Sequence, residues 1–137
     1  MITHTLSLQP SLSELEKLFT WLEELPTTQL IPATGLALVC EEVFCNIVNH
    51  AYSGHPDPQN RKVQLSLSLD NDYLIIEFLD YGIALPQLPT GKIDRETSLD
   101  DKPIGGLGWT FIRHYMDEVA YHRLHDSNIL TLTKIRR

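Results

Sequence analysis

The sequence predicts an α/β (α+β) fold: a two-layer sandwich whose mixed, mostly antiparallel sheet is covered on one face by helices. The periodicities of the chain follow the order β-α-α-β-β-long loop-α-β-β, which suits this architecture. Residues 63–69 alternate cleanly between apolar and polar side chains, as a half-buried antiparallel strand does. With 137 residues the chain has the size of one domain, so we expect residues 1–137 to share a single core.

The first half of the chain predicts one strand and two helices. Residues 2–8 alternate loosely and read as a short strand. Ser11 and Glu14 have the spacing of a capping box, and the leucines that follow at helical spacing predict a helix over residues 11–25. A second helix is predicted over residues 33–51, where an apolar stripe runs beside a polar one.

The second half predicts most of the sheet and one more helix. A turn at Asp70-Asn71-Asp72 joins two strands. Residues 81–104 lack periodicity, and a connection of this length is typical of a functional lid or of a disordered segment. The remaining predicted elements are strands over 63–69 and 73–79, a helix over 106–118, and a hairpin of 119–124 and 129–135 joined at 125–128.

Composition and charge exclude several classes of function. The formal net charge of −7 argues against direct nucleic acid binding, because a phosphate backbone requires a basic face. No apolar run approaches the length of a membrane span, and the N-terminus does not resemble a signal peptide. Cys40 and Cys45 fit neither a disulfide framework nor a zinc site, so we expect free thiols and a cytoplasmic protein.

Glu42, Asn46 and His50 recur at steps of four residues and form a polar stripe on the second predicted helix. A carboxylate beside a carboxamide suits a hydrated magnesium ion, where the amide oxygen is a ligand and the acid orients or deprotonates a nucleophile. The same stripe is also typical of an ordinary helix with one wet edge.

Asp80 and Gly82 follow directly after a predicted buried strand. A carboxylate in this place can accept a hydrogen bond from the exocyclic amino group of adenine, and the glycine lets a base pack against the backbone. Ligands of α/β sheets often bind beyond strand ends. An ordinary turn has the same composition.

Gly105, Gly106 and Gly108 surround Leu107 directly before the last predicted helix. Glycines let the backbone approach a bulky anion, and a helix start offers unpaired N–H groups to it. The stretch therefore predicts a phosphate cradle, although a hinge before a helix has the same composition. It is not a P-loop, because no Lys-Ser/Thr follows it.

In combination and order, the three motifs resemble those of the GHKL, or Bergerat-fold, ATPase superfamily. Within it the chain is most similar to anti-sigma factor serine/threonine kinases, the anti-sigma regulatory factors with a histidine-kinase-like ATPase domain. EEVFCNIVNHAY resembles their N box, LDYGIALPQ their Asp-x-Gly box, and KPIGGLGWTFIRHYMDEVAYHR their glycine box. NILTLTK matches their last strand, so the resemblance covers about residues 5–135.

The resemblance implies a role for each matching residue. Glu42 would be the general base for the acceptor serine, and Asn46 would be a ligand of a magnesium ion that bridges the ATP phosphates. Residues 81–104 would be the ATP lid. The other implied nucleotide contacts are His50 and Ala51 at the pocket wall, Asp80 at adenine, Gly82 beside it, Gly105, Gly106, Leu107 and Gly108 around the phosphates, and Thr131 near adenine and Asp80.

Two stretches depart from the family pattern. Trp109 replaces a smaller aliphatic residue, and we expect it either to pack under the lid or to mark a partner surface. Ala84-Leu85-Pro86 replaces the more usual Pro-Phe-Asp. Neither change removes a residue that the resemblance assigns to ATP binding.

The resemblance implies an ATP-dependent protein serine/threonine kinase that acts as an anti-sigma regulatory factor. It would bind a sigma factor or an anti-anti-sigma protein, and it would phosphorylate a serine of the latter with ATP and Mg²⁺. One alternative is a non-catalytic ATP-binding module that switches partners. Another is a stand-alone histidine kinase catalytic domain, which the form of the N box disfavours. The resemblance alone suggests a homodimer.

Overall fold

A computed structural model of the chain describes residues 1–53, 61–86, 88–93 and 109–136. Their element order matches the predicted one, with a short additional strand inside the predicted lid. The elements are β1 (Ile2–Leu8), a 3₁₀ turn (Leu12–Glu14), α1 (Leu15–Glu23), α2 (Ala33–Asn46), a π-helical turn (Ile47–Ala51), β2 (Val63–Leu69), β3 (Tyr73–Asp80), β4 (Gly91–Lys92), α3 (Thr110–Tyr115), β5 (Glu118–Leu124) and β6 (Ser127–Ile135). No helix in these ranges is long and apolar enough to cross a membrane.

The strands form one sheet in the order β1-β2-β3-β6-β5-β4. All pairings among the described strands are antiparallel, so the sandwich is confirmed, whereas a mixed sheet is not found in this part of the chain. In this register Asp80, the last residue of β3, lies opposite Asn128 in β6. Asn128 in turn lies opposite Arg123 in β5. The end of β3 is therefore flanked by the β5–β6 hairpin.

One face of the sheet forms the core with the helices. Along β2 and β3 the side chains alternate between buried and more exposed positions, as the pleat requires. α2 supplies the opposing apolar layer, and each fully buried large side chain contributes roughly 1.5–3 kcal/mol to the stability of the fold. The fully buried residues of this layer and of the two strands include Val39, Val43, Phe44, Ile47, Val63, Leu74, Ile76 and Phe78.

The first predicted helix begins with a 3₁₀ turn. The Ser11 hydroxyl accepts a hydrogen bond from the Ser13 N–H at 3.3 Å, and the Glu14 carboxylate accepts one from the Gln9 N–H at 2.9 Å. Ser11 is therefore the N-cap residue, but the two side chains bind other N–H groups than those of a capping box. The tighter 3₁₀ turn is the physical reason, because it shifts both contacts to other N–H groups.

The second predicted helix is confirmed over its length, but its last turn is π-helical. The α-helical part ends at Asn46, and the Tyr52 N–H donates to the Ile47 carbonyl at 3.1 Å. Such i→i+5 turns are frequent at functional sites.

The last helix is shorter than predicted. It ends at Tyr115 because Met116 is extended and the Asp117 N–H donates to the Thr133 carbonyl at 2.8 Å, which draws the chain into the sheet. The following hairpin turns at His125-Asp126, with a left-handed φ of 54° at His125. The predicted four-residue connection is therefore only two residues long, and Asn128 belongs to β6 rather than to the turn.

Candidate functional site

The N-box helix and the Asp-x-Gly segment meet at one backbone contact. The Ile83 N–H donates to the Ala51 carbonyl at 2.7 Å. A Cβ placed on Gly82 would lie 2.2 Å from that carbonyl oxygen and 2.7 Å from the Ala51 Cβ. No side chain fits in this space, so glycine is required here for close approach. The structure thus brings Ala51, Gly82 and the end of β3 together.

Tyr52 adds a second link between the same two segments. Its hydroxyl accepts a hydrogen bond from the Tyr81 N–H at 2.9 Å and donates one to the Lys62 carbonyl at 3.0 Å. Burial raises the pKa of the Tyr52 hydroxyl to about 12, so it stays protonated and keeps its donor at physiological pH. The backbone after Asp80 is therefore fixed from the N-box side.

Asp80 is a buried carboxylate whose two oxygens have different surroundings. Oδ1 accepts hydrogen bonds from the Gly82 N–H at 2.9 Å and from the Asn128 side-chain amide at 2.8 Å. Oδ2 is buried and has no hydrogen-bond partner among the described residues. Burial raises the pKa of Asp80, and the bonds from Asn128 and Gly82 and the charge of Arg123 oppose that rise. An unpaired buried acceptor suits an amino-group donor on a ligand.

Glu42 belongs to α2, and its carboxylate lies at the first turn of α3. Its Oε1 accepts hydrogen bonds from the Phe111 N–H at 2.9 Å and from the Ile112 N–H at 3.2 Å. These N–H groups belong to the first turn of α3, where intrahelical partners are missing. The carboxylate therefore acts as a side-chain cap from another helix, and it holds the N box against the helix that follows the glycine box.

Asn46 and His50 have different surroundings. Asn46 is half-buried at the last position of α2, one helical turn beyond Glu42, as predicted. His50 lies in the π-helical turn and its side chain is exposed, whereas the neighbouring Ala51 is buried against Gly82. The structure therefore groups Ala51, but not the His50 side chain, with the Asp-x-Gly segment.

Trp109 packs beneath the first residues of the predicted lid. It is 1% exposed, and its Nε1–H donates to the Pro86 carbonyl at 3.2 Å. Its backbone is left-handed, with φ 51° and ψ 45°, a conformation that costs a residue other than glycine roughly 1–2 kcal/mol. Of the two expectations for this residue, its burial and its contact with Pro86 favour packing under the lid.

The described part of the predicted lid is tied to the sheet. Leu85 is buried and its N–H donates to the Tyr121 hydroxyl at 3.1 Å. β4 pairs with β5, so Gly91 and Lys92 extend the sheet by one short strand. Leu85, Gly91 and Lys92 thus attach the described part of the predicted lid to the sheet. The prediction of one lid over residues 81–104 did not include this attachment.

The expected position of Thr131 near Asp80 is wrong. Thr131 of β6 lies opposite Glu77 of β3, and Asn128 lies opposite Asp80. Side chains three residues apart in a strand point to opposite faces, so the Thr131 side chain lies on the sheet face away from Asp80. Asn128 takes the place beside Asp80, and sequence reasoning missed it by assigning it to a turn. The available signal was Asn128 itself, a polar residue just before the alternating run Ile129–Ile135.

The four glycine-box positions Gly105, Gly106, Leu107 and Gly108 lie outside the described residues, so their predicted phosphate contacts stay predictions. A groove of about 650 Å³ lies at the opposite end of the sheet, near Asp70 and Arg136, and none of the predicted site residues lines it. The chemistry of the side chains, rather than cavity size, therefore locates the site.

The chain is similar to known proteins in family, sequence and fold. The family model of the histidine kinase-like ATPase domain matches residues 8–134. The chain is 30% identical over 135 residues to the serine/threonine-protein kinase BtrW of Bordetella bronchiseptica, covering 96% of this chain and 92% of that protein.

Two anti-sigma F factors are also similar. The chain is 26% identical over 94 residues to that of Geobacillus stearothermophilus, covering 69% of this chain and 61% of that protein. It is 28% identical over 96 residues to that of Oceanobacillus iheyensis, covering 67% of this chain and 64% of that protein. The matches thus span less than two thirds of these two relatives.

The crystal structure of the RsbU and RsbW domains of Rv1364c from Mycobacterium tuberculosis superposes with a TM-score of 0.65 at 13% identity. The match covers 98% of this chain and 32% of that chain, and at this identity it shows the fold alone. Because the family model spans nearly the whole chain and the relative at 30% identity is matched over 96% of it, this chain belongs to the histidine kinase-like ATPase domain family.

Proposed function

We propose that the chain is a cytoplasmic ATP-dependent protein serine/threonine kinase that acts as an anti-sigma regulatory factor and phosphorylates a serine of an anti-anti-sigma partner. One observation carries the proposal: Asp80 is buried at the end of β3, where the N box meets the Asp-x-Gly segment, and its Oδ2 has no hydrogen-bond partner among the described residues. The similarity to a serine/threonine-protein kinase over 92% of its length supports the choice of reaction.

Asp80 would recognise the adenine base. Its Oδ2 offers an acceptor to the exocyclic amino group, while Oδ1 is already held by the Gly82 N–H and Asn128. Gly82 has no side chain, so the Ala51 backbone can approach closely and keep the end of β3 that carries Asp80 against the N box. ATP would therefore be preferred over purine nucleotides that present a carbonyl oxygen at this position, because two acceptors would then face each other.

Asn46 would hold a magnesium ion together with the phosphates of ATP. A carboxamide oxygen is a hard donor, and Mg²⁺ usually takes one or two protein oxygens beside substrate phosphates and water, so this donor fits the ion. When bound, the ion would neutralise phosphate charge during transfer. Asn46 stands one turn from Glu42 on the same helix, which would keep the metal ligand and the base at a fixed spacing.

Glu42 would accept the proton of the attacking serine hydroxyl. The Phe111 and Ile112 N–H groups hold its Oε1, so the carboxylate keeps one orientation at the junction of α2 and α3. General bases of this kind contribute roughly 10²–10⁴-fold to the rate. Phosphoryl transfer otherwise depends mainly on positioning and charge neutralisation, which this small site is suited to supply.

The proposed partners are a sigma factor and an anti-anti-sigma protein. Support comes from the relatives named anti-sigma F factor, although the matches cover only part of those proteins.

The homodimer stays a prediction. Light scattering of the purified chain, which measures its molar mass in solution, tests it.

The deciding experiment compares Glu42→Gln with Glu42→Ala. The glutamine oxygen can still accept the Phe111 and Ile112 N–H groups, but it cannot take a proton. We expect both variants to bind ATP and to lose about 10²–10⁴-fold in phosphate transfer to the partner serine. Only Glu42→Ala loses the cap, which costs about 0.5–2 kcal/mol of the free energy of unfolding.

Transfer is measured from ATP labelled in the γ-phosphate to candidate anti-anti-sigma proteins, and ATP binding is measured by calorimetry. Wild-type transfer by Glu42→Gln would exclude Glu42 as the base. Failure of the wild-type chain to bind ATP would exclude the proposed function altogether.

A non-catalytic ATP-dependent partner switch is the second candidate, and the position of Glu42 favours it. Since this carboxylate caps α3, its presence has a structural explanation that requires no catalysis. ATP binding by the wild-type chain without transfer to any candidate serine would support this second function.

A further inference from the structure

Asn128 is a fully buried carboxamide whose hydrogen-bonding groups are all used. Its Nδ2 donates to Asp80 Oδ1 and to the Ile83 carbonyl, each at 2.8 Å. Its Oδ1 accepts from the Tyr121 hydroxyl and, at 3.1 Å, from Arg123 Nη1. Reversing the amide would place its oxygen against two acceptors and its nitrogen against a guanidinium donor. The surrounding groups therefore fix the orientation of the amide.

The fixed amide imposes an orientation on Asp80. Because Nδ2 and the Gly82 N–H both bind Oδ1, rotation of the carboxylate would break two hydrogen bonds. The other oxygen, Oδ2, is left as the buried acceptor without a partner among the described residues. A carboxylate held at one oxygen in this way presents a single acceptor in a single direction.

The same group of side chains also holds the backbone that follows Asp80. Arg123 Nη1 donates to the Gly82 carbonyl, Asn128 to the Ile83 carbonyl, and the Leu85 N–H donates to the Tyr121 hydroxyl. The β5–β6 hairpin thus holds three of the first residues of the lid, and it holds one of them, Ile83, through the amide that orients Asp80.

We propose that Asn128 is a positioning residue for nucleotide-base recognition: it aims Asp80 Oδ2 at the base and joins that carboxylate to the first residues of the lid. The inference rests on the proposed function, since it takes Asp80 as the acceptor of the adenine amino group. It adds that the preference for a 6-amino purine depends on a side chain that does not itself supply the recognising oxygen.

The test measures dissociation constants for ATP and for inosine triphosphate, which carries a carbonyl oxygen in place of the amino group. We expect wild type to prefer ATP by about tenfold or more, which is the discrimination that one hydrogen bond to a charged group supplies. Asn128→Asp keeps the shape and the acceptor for Tyr121 and Arg123, but it replaces the donor to Asp80 with a second carboxylate oxygen, which repels Asp80 Oδ1. For this variant, the ratio of the dissociation constant for inosine triphosphate to that for ATP should fall to about three or less.

Two further variants make the test decisive. Tyr121→Phe removes only the hydroxyl that holds Asn128 Oδ1 and Leu85, so the preference should fall in the same direction by a smaller factor. Thr133→Val, on the opposite face of β6, should leave both dissociation constants unchanged. If Asn128→Asp does not fold, Tyr121→Phe decides.

Loss of the ATP preference in Asn128→Asp, or a smaller loss in Tyr121→Phe, supports the inference. An equal loss of affinity for both nucleotides, or an unchanged ratio, overturns it while the proposed function stands. If wild type binds neither nucleotide, the proposed function fails first and the inference fails with it.

Discussion

Gly82→Ala places a methyl group where the N box and the Asp-x-Gly segment touch. The new Cβ would lie 2.2 Å from the Ala51 carbonyl oxygen and 2.4 Å from its carbonyl carbon, so backbone rather than a flexible side chain must move. Overpacking of this kind costs about 1–3 kcal/mol. Displacing Ala51 also breaks its hydrogen bond with the Ile83 N–H, which contributes about 0.5–1.5 kcal/mol. We therefore expect a loss of about 1.5–4.5 kcal/mol of the free energy of unfolding.

Urea unfolding measures this loss, and calorimetry measures ATP affinity, which should fall because Asp80 moves with Gly82. Gly91→Ala is the matched control. Gly91 has a φ of 87° and open space around it, so an alanine there carries backbone strain of about 1–2 kcal/mol without a clash. It should lower stability without displacing Asp80, so its loss of ATP affinity should be smaller than that of Gly82→Ala. A Gly82→Ala chain as stable as wild type, with wild-type ATP affinity, would refute the reasoning.

Three other perturbations have defined outcomes. Trp109→Phe removes the Nε1–H that binds the Pro86 carbonyl and leaves space under the lid, so urea unfolding should show a loss of about 1–3 kcal/mol. Burial raises the pKa of the Cys40 thiol to about 12, so a thiol reagent at pH 8 should label half-buried Cys45 slowly and Cys40 only after unfolding. Burial also raises the pKa of Asp80, so its ionised form costs stability above the raised pKa, and that cost is absent below the ordinary pKa of about 3.9. At pH 7, Asp80→Asn should therefore unfold at a urea concentration no lower than wild type, and it should lose ATP binding. The difference in urea midpoint between the two chains should narrow towards pH 4. A difference in midpoint that widens as the pH falls would contradict this sign.

The elements that the sequence predicted well are those whose burial is local and periodic. β2 was predictable because its apolar residues alternate, and this alternation matches its buried face. α2 was predictable because its apolar stripe recurs at helical spacing. Glu42 and Asn46 followed from the same periodicity, since residues four apart share a helix face.

The features that sequence reasoning missed depend on single residues in unusual backbone or on register. His125 takes a left-handed φ, which shortens the hairpin turn to two residues and moves Asn128 into the strand. Strand side chains alternate between faces, so this register places Asn128 beside Asp80 and Thr131 on the other face. Trp109 is likewise left-handed, and a large aromatic residue gives no sequence signal for that conformation.

Among the described residues, three N-box groups bind backbone N–H groups that lie outside the N box. The Ala51 carbonyl binds the Ile83 N–H, the Tyr52 hydroxyl binds the Tyr81 N–H, and the Glu42 carboxylate binds the first turn of α3. These three N-box groups therefore also stabilise the fold, and truncating Glu42 to alanine would change stability and chemistry together. Variants that keep the shape and the acceptor, such as Glu42→Gln, separate the two effects, because they leave these hydrogen bonds intact while removing the proton acceptor.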